Sequence, residues 1–254
     1  RQERSGMVLG SYERACVPWS PKNTPWAFGR ELLQPDLDRI APNLELGYKH
    51  FPALAKAGIK RVINGPFTFT PDGNPIVGPV QGVRNFWLAC GVMAGFSQGG
   101  GVGLAVAQWI VEGEAGMDVF AMDVARYGVH ADADFVLEKT TENYRRRFTI
   151  TCPNEELPAA RPLKTTPAYG AFAQAGAAFG ALYGWEYPLW FAGEGQEAIE
   201  APTFRRSDAF ARIGEEAKAV REAAGLFESS CYAKFEVSGA GAAAFLDKIT
   251  SNKL

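Results

Sequence analysis

The chain is 254 residues long, enough for one or two domains with a sizeable core. With 26 Lys and Arg against 28 Asp and Glu, its net charge of −2 removes the electrostatic case for nucleic acid or an anionic membrane as partner. Charged residues at 21% and apolar residues at 47% describe a globular rather than a disordered protein. Cys16, Cys90, Cys152 and Cys231 form no Cys-x-x-Cys pair and read as reduced thiols in a cytosol-like compartment. With only His50 and His130 beside them, no metal site is expected. Neither Asn85 to Val111 nor Tyr169 to Phe191 offers about 20 unbroken apolar residues, so no membrane span is expected. No charged leader opens the chain. It begins at Arg1 rather than methionine and stops soon after an apparent helix, so it is expected to be a piece of a longer polypeptide.

In chain order, Ser5-Gly6 reads as the turn of a short opening hairpin. A proline-rich loop with Trp19, Trp26 and Phe28 follows. Asp36 to Leu46 and Lys49 to Ala57 have helical spacing, interrupted by Pro42 and closed by Gly58. Lys60 to Asn64 is expected as a strand, Pro71-Asp72-Gly73-Asn74 as a turn, and Pro75 to Gly78 as an extended segment. Asn85 to Cys90 is a candidate buried strand that runs into a glycine-rich bend, then a helix from about Gly101 to Val111. The more polar stretch from Met117 to Arg161 reads as a connector with a helix near Ala133 to Tyr144. Beyond Leu163 the sequence turns rich in Ala, Gly and aromatics, ending in GWEYPLWF (Gly184 to Phe191). A helix over Ile213 to Ala224, a strand over Lys234 to Val237 and a helix over Ala240 to Ile249 complete the expectations.

The bend CGVMAGFSQGGGVG carries the most chemistry. Its glycines permit close approach of a ligand to the backbone, and the following helix start would present N–H groups to an electron-rich atom. Tight helix–strand packing is the competing explanation, and spacing does not separate the two. The pattern is not GxGxxG with an acidic residue about 20 positions on, so a self-contained dinucleotide site is disfavoured. Gly239 to Ala244 matches GxGxxA superficially, but small residues at a helix start account for it. Ser229-Ser230-Cys231 lacks a nucleophile elbow, and the triplet Arg145-Arg146-Arg147 reads as a solvated face.

Several segments, in order, carry a resemblance: RQERSGMVLGSYE (Arg1 to Glu13), NGPFTFTPDGNPIVGPVQGVRNFWLACG (Asn64 to Gly91), the glycine bend, GWEYPLWF, and FRRSDAFARIGEEAKAVREAAGLF (Phe204 to Phe227). Together they resemble the dimethylglycine dehydrogenase and sarcosine dehydrogenase family across essentially the whole chain. The resemblance implies an α/β and α+β protein. Residues 1–116 would be the carboxy-terminal part of a D-amino-acid-oxidase-like FAD domain and 117–162 a small linking domain. Residues 163–254 would open an aminomethyltransferase-like, folate-binding domain, for which AVREAAGLFESSCYAKFEVSG also speaks. The family's amino-terminal GxGxxG and flavin-linking histidine have no counterpart here, and Gly65 to Thr70 holds no cysteine of the kind that links flavin in monomeric sarcosine oxidases.

By that resemblance Met93, Ala94, Gly95, Phe96, Ser97 and Gln98 line the flavin ring, with the next helix aimed at its N1–C2 carbonyl region. No catalytic side chain is assigned. The implied cofactors are FAD and tetrahydrofolate, and the implied reaction is oxidation of an N-methyl amino acid, whose one-carbon unit passes to tetrahydrofolate or leaves as formaldehyde. Dimethylglycine is favoured over sarcosine by RQER, NGP and GVRNFW. The electron acceptor, oxygen or an electron-transfer flavoprotein, stays open. The implied location is bacterial cytoplasm or mitochondrial matrix. Tyr232 and Gly184 to Phe191 are candidate walls of the folate pocket. A non-catalytic relative, the pyruvate dehydrogenase phosphatase regulatory subunit, is the alternative reading.

Overall fold

The structure, a computed structural model, describes residues 1–252. It divides into two compact units: Arg1–Thr151 with Leu157–Arg161, and Cys152–Glu156 with the residues from Pro162 onward. Among the described residues the strands form three two-stranded antiparallel sheets.

The first unit opens with β1 (Gln2–Glu3) and β2 (Gly6–Met7). Their turn falls on Arg4-Ser5, one residue earlier than expected, with Arg4 at φ 53°. Helix α1 (Leu37–His50) runs through Pro42 without a break, and Asp36 caps it by accepting from the Arg39 amide at 3.1 Å. The two expected helices are therefore one helix followed by a 3-10 turn at Pro52–Lys56. Lys60 to Asn64 forms no strand. It is tied instead as an irregular segment, the Asn64 carbonyl accepting from the Leu33 amide and its side chain donating to the Gln34 carbonyl.

The centre of the unit is the pair β3 (Ile76–Pro79) and β4 (Trp87–Cys90), with Ile76 opposite Cys90 and Pro79 opposite Trp87. Val77 is fully buried, but β4 is half-exposed and Cys90 exposed, so the expected buried strand is a half-covered one. Helix α2 (Gly95–Glu112) packs on this pair through Val102 and Ala105, spaced three apart on one face. Trp109, one turn further, reaches Gly78, where any Cβ would stand 2.8 Å from its ring. Gly113, at φ 87°, ends the helix in the left-handed conformation. Two 3-10 turns, Phe120–Met122 and Val124–Arg126, lie against β3, with Asp123 bridged in parallel to Val77. Helix α3 (Ala133–Arg146) is capped by Asp132, whose carboxylate accepts from the Phe135 amide.

In the second unit, helix α4 (Tyr169–Gln174) leads into β5 (Ala177–Leu182) and β6 (Trp185–Phe191). Their two-residue turn, Tyr183-Gly184, has φ 51° and 80°, both positive as a primed hairpin turn requires. Lys164 adds a short parallel bridge at Trp185. Helix α5 (Ala209–Glu222) docks on β6 through side chains. Glu216 accepts from the Phe191 amide at 2.8 Å, and Arg212 Nε donates to the Phe191 carbonyl at 3.1 Å. The core is Ala178, Trp190 and Ala209. Helix α6 (Ala242–Ile249) follows, but Lys234 to Val237 forms no strand. A strand needs a partner edge to hold its backbone groups.

No described helix is long and apolar enough to cross a membrane, and no described group of three or more His, Cys, Asp or Glu is placed to hold a metal ion.

Candidate functional site

The glycine-rich bend begins at Gly91, directly after β4, with φ 64°. Its carbonyl accepts from the Met93 amide at 2.8 Å, which turns the chain toward α2. The helix starts at Gly95, six residues before the expected Gly101. Glycine is a poor helix former, yet packing of Val102, Ala105 and Trp109 holds the helix that follows in place. Met93 and Ala94 form the entry, and Gly95, Phe96, Ser97 and Gln98 the first turn. The six residues thus occupy the entry and first turn of α2, with Gly95, Phe96 and Ser97 exposed.

Ala94 is the N-cap and supplies no side-chain cap. Its carbonyl accepts from the Ser97 amide at 3.0 Å, the Gln98 amide at 2.9 Å and the Ser97 hydroxyl at 3.0 Å. The amides of Gly95 and Phe96, at the first two helical positions, have no intrahelical acceptor. They point off the positive end of an 18-residue helix dipole. Phe96 is fully exposed.

The glycines of this helix are informative for what they do not touch. A Cβ built on Gly95, Gly99, Gly100, Gly101 or Gly103 meets nothing within 4 Å, and none of the five has a positive φ. Neither backbone conformation nor packing within the chain calls for glycine at these positions. Each costs up to about 1 kcal/mol of helix stability relative to alanine. The helix therefore keeps a bare backbone cradle beside uncapped N–H groups. A flat, electron-rich group brought against the peptide planes fits that cradle.

A second constellation, which sequence reasoning missed, stands behind the bend. Arg126 Nε donates to Asp72 Oδ2 at 2.7 Å and Nη2 to Asp72 Oδ1 at 3.1 Å, a bidentate pair. Nη2 also reaches the Asn74 carbonyl at 3.2 Å, and Nη1 donates to the carbonyls of Met122 and Asp123. Burial pushes the Asp72 carboxyl up, but the hydrogen bonds from Arg126 and the Asn74 amide, with the guanidinium charge, outweigh it and hold Asp72 below the usual carboxylate range. Burial and the Asp72 charge push the neighbouring Tyr127 phenol up to about 12. The only sequence signal was the turn Pro71-Asp72-Gly73-Asn74; its partner lies 54 residues away. A cleft of about 370 Å³ borders the pair, lined by Tyr127, Phe135, Lys139, Glu142 and Asn143 among others. Lys139 and Glu142 are paired there at 2.9 Å.

The depressed Asp72 carboxyl carries a pH consequence. Its contribution to stability is fully present above the unfolded value of about 3.9 and is lost as pH falls through the lower folded value. Acid titration of Asp72→Asn against the parent chain is expected to show a shallower loss of stability below about pH 4 in the variant. Superimposable acid limbs would remove the carboxylate's role.

Residues 1–109 match the family model described as FAD dependent oxidoreductase, 112–166 its central domain, and 168–254 the GCVT N-terminal domain. The chain is 37% identical over 257 aligned residues, 99% of its length, to mouse mitochondrial dimethylglycine dehydrogenase. The chain belongs to the dimethylglycine dehydrogenase and sarcosine dehydrogenase family. Across 94% of its length it is 32% identical to 4-methylaminobutanoate oxidase (formaldehyde-forming) of Paenarthrobacter nicotinovorans, and across 95% it is 30% identical to mouse sarcosine dehydrogenase. The chain spans about 30% of the length of these relatives. The α/β and α+β assignment follows from the same matches, with flavoprotein, central and aminomethyltransferase-type segments in that order. In this dimethylglycine dehydrogenase-family chain the glycine cradle lies within the FAD dependent oxidoreductase match, and Arg126 within the central-domain match.

The candidate folate-side residues separate by burial. Trp190 and Glu186 are buried, so they are core rather than free wall, whereas Tyr232 is 57% exposed.

Proposed function

We propose that this chain is part of a flavoenzyme that demethylates an N-methyl amino acid of the dimethylglycine type and passes the one-carbon unit to tetrahydrofolate. The single observation that carries the flavin assignment is the bare glycine cradle at the uncapped start of α2. Met93 to Gln98 would form the wall that holds the flavin ring, with the Gly95 and Phe96 amides as donors. FAD, when bound, supplies the two-electron acceptor for oxidation of the substrate's N-methyl carbon. The chain's own part is electrostatic. The helix start and its amides favour negative charge beside them, and so favour the reduced form of the group they hold. The glycines contribute by letting a bound group come close to the peptide planes.

In this reading residues 1–116 complete a flavin domain, 117–162 link, and 163–254 open the folate domain. Phe96 is fully exposed at the Met93 to Gln98 wall, where an apolar ring edge can rest against it. Dimethylglycine is favoured over sarcosine by the higher identity, 37% against 30%. The compartment is the bacterial cytoplasm or the mitochondrial matrix. Fusing the two domains raises the effective concentration of a reactive one-carbon intermediate at the second site.

The test is the absorbance of the full-length protein during anaerobic titration with dimethylglycine. A flavin band that bleaches supports the reading; a colourless, folded protein overturns it in favour of a non-catalytic relative. Formaldehyde yield per substrate oxidised separates the folate step. It is expected to fall when tetrahydrofolate is added, and to stay high in a version cut after Arg161, where the first unit ends. An identical yield with and without tetrahydrofolate removes folate and leaves the flavoenzyme.

A further inference from the structure

We propose that Arg126 is a positioning residue for the glycine bend, acting through Asp72 and Thr70 on Gly91. The inference rests on the reading of Met93 to Gln98 as the flavin wall, and it adds a control point about 30 residues downstream of that wall, in the central-domain segment.

The path is short and every step is a contact. Arg126 grips both oxygens of Asp72 and the Asn74 carbonyl, and its own position is fixed by the Met122 and Asp123 carbonyls. Its side chain is largely covered, at 14% exposure. Asp72 Oδ1 in turn accepts from the Asn74 amide at 3.0 Å, which closes the turn. The Thr70 hydroxyl donates to the Asn74 carbonyl at 2.7 Å, with Asp72 Oδ1 also at 3.2 Å. Thr70 is 4% exposed, so its rotamer is set by these bonds and by packing.

The other branch of Thr70 meets the bend. Its Cγ2 methyl lies 2.5 Å from where a Gly91 Cβ would stand, so the methyl rests on the Gly91 backbone itself. Gly91 then fixes Met93 through the 2.8 Å bond from the Met93 amide, and Ala94 follows as the N-cap of α2. Releasing Arg126 frees the turn, the Thr70 rotamer and the left-handed Gly91 together. An ion pair joining two distant segments thereby sets the geometry of a backbone wall. A positioning role of this kind asks for a planar, bidentate cation, which lysine does not reproduce.

The experiment is hydrogen–deuterium exchange on the full-length protein, read in peptides covering 91–98, with flavin absorbance recorded on the same samples. Arg126→Ala is expected to speed exchange at the bonded Met93, Ser97 and Gln98 amides by about tenfold, with α1 exchange unchanged. Arg126→Lys is expected to recover only part of this. Thr70→Ser is the gentler variant. It keeps the hydroxyl and its bond to Asn74 and deletes only the methyl against Gly91. It is expected to loosen 91–98 while leaving 70–75 protected. Should Arg126→Ala also raise α1 exchange and so report unfolding, Thr70→Ser decides. Unchanged exchange over 91–98 in Thr70→Ser, or loosening in Arg126→Ala confined to 70–75 and 122–127, overturns the proposal. A loosened bend with a shifted flavin absorption maximum supports it together with the flavin wall. A loosened bend beside an unmoved flavin spectrum supports the positioning path and refutes the flavin-wall reading on which its function rests.

Discussion

Replacing Trp190 by alanine is expected to cost the second unit about 3–5 kcal/mol, the range for truncating a buried aromatic without collapse of the site. The indole is 2% exposed, between Ala178 and Ala209, with Leu189, Ala192 and Ala198 packed around that centre. Alanines on two sides cannot grow inward to refill the space. The indole N–H donates to Glu200 Oε2 at 2.7 Å, so the variant also strips a carboxylate of its donor. Trp190→Phe separates the two effects: it keeps most of the volume and loses the bond, for an expected loss of about 1–3 kcal/mol. Denaturant midpoints, with hydrogen exchange at the β5–β6 hairpin, give both numbers. A loss below about 1 kcal/mol for Trp190→Ala would mean the hairpin is not held by this core. The consequence for function is that the segment GWEYPLWF serves first as structure. Any folate wall built from it must use the half-exposed Trp185 and Tyr187, not Trp190.

Local signals were legible where one residue decides the outcome. Asp36 and Asp132 mark helix starts by accepting the amide three residues on, and Gly113 marks an end by its positive φ. Long amphipathic helices such as α3 and α5 follow from spacing. Strands were read less well, because a strand exists only with its partner. Lys60 to Asn64 and Lys234 to Val237 have suitable residues and no neighbouring edge, so they stay irregular. Ala177 to Leu182, rich in Ala and Gly, lacks the β-branched signature. It is extended because the Tyr183-Gly184 turn folds it onto β6. The candidate site divides the same way. The glycine bend was visible as composition, and its early helix start was not. The Arg126–Asp72 pair was invisible, since its two halves lie 54 residues apart and each reads alone as a surface charge.

Gly91→Ala and Gly95→Val are expected to fail in opposite ways, and the contrast tests what the glycines are for. At Gly91 the backbone is left-handed at φ 64°, and a Cβ would lie 2.5 Å from the buried Thr70 methyl. The left-handed conformation costs an alanine about 1–2 kcal/mol, and overpacking about 1–3 more. Gly91→Ala is therefore expected to destabilise the first unit by about 2–4 kcal/mol, as a lower denaturant midpoint at unchanged slope. At Gly95 a new Cβ meets nothing and φ is not positive, so Gly95→Val should leave that midpoint within about 0.5 kcal/mol. Its effect belongs to the full-length protein, where a branched side chain would stand between the Gly95 and Phe96 amides and the group they face. Flavin retention is expected to fall, or the flavin's reduction behaviour to change, while the fold persists. If flavin content, spectrum and turnover are all unchanged in Gly95→Val, the open glycines serve helix packing against the rest of the polypeptide. The flavin wall must then be sought outside Met93 to Gln98. If Gly91→Ala alone is damaging, the bend matters for stability and not for the cofactor. Only a stable, flavin-deficient Gly95→Val separates close approach of a ligand from close packing of protein, the two explanations that glycine spacing left level.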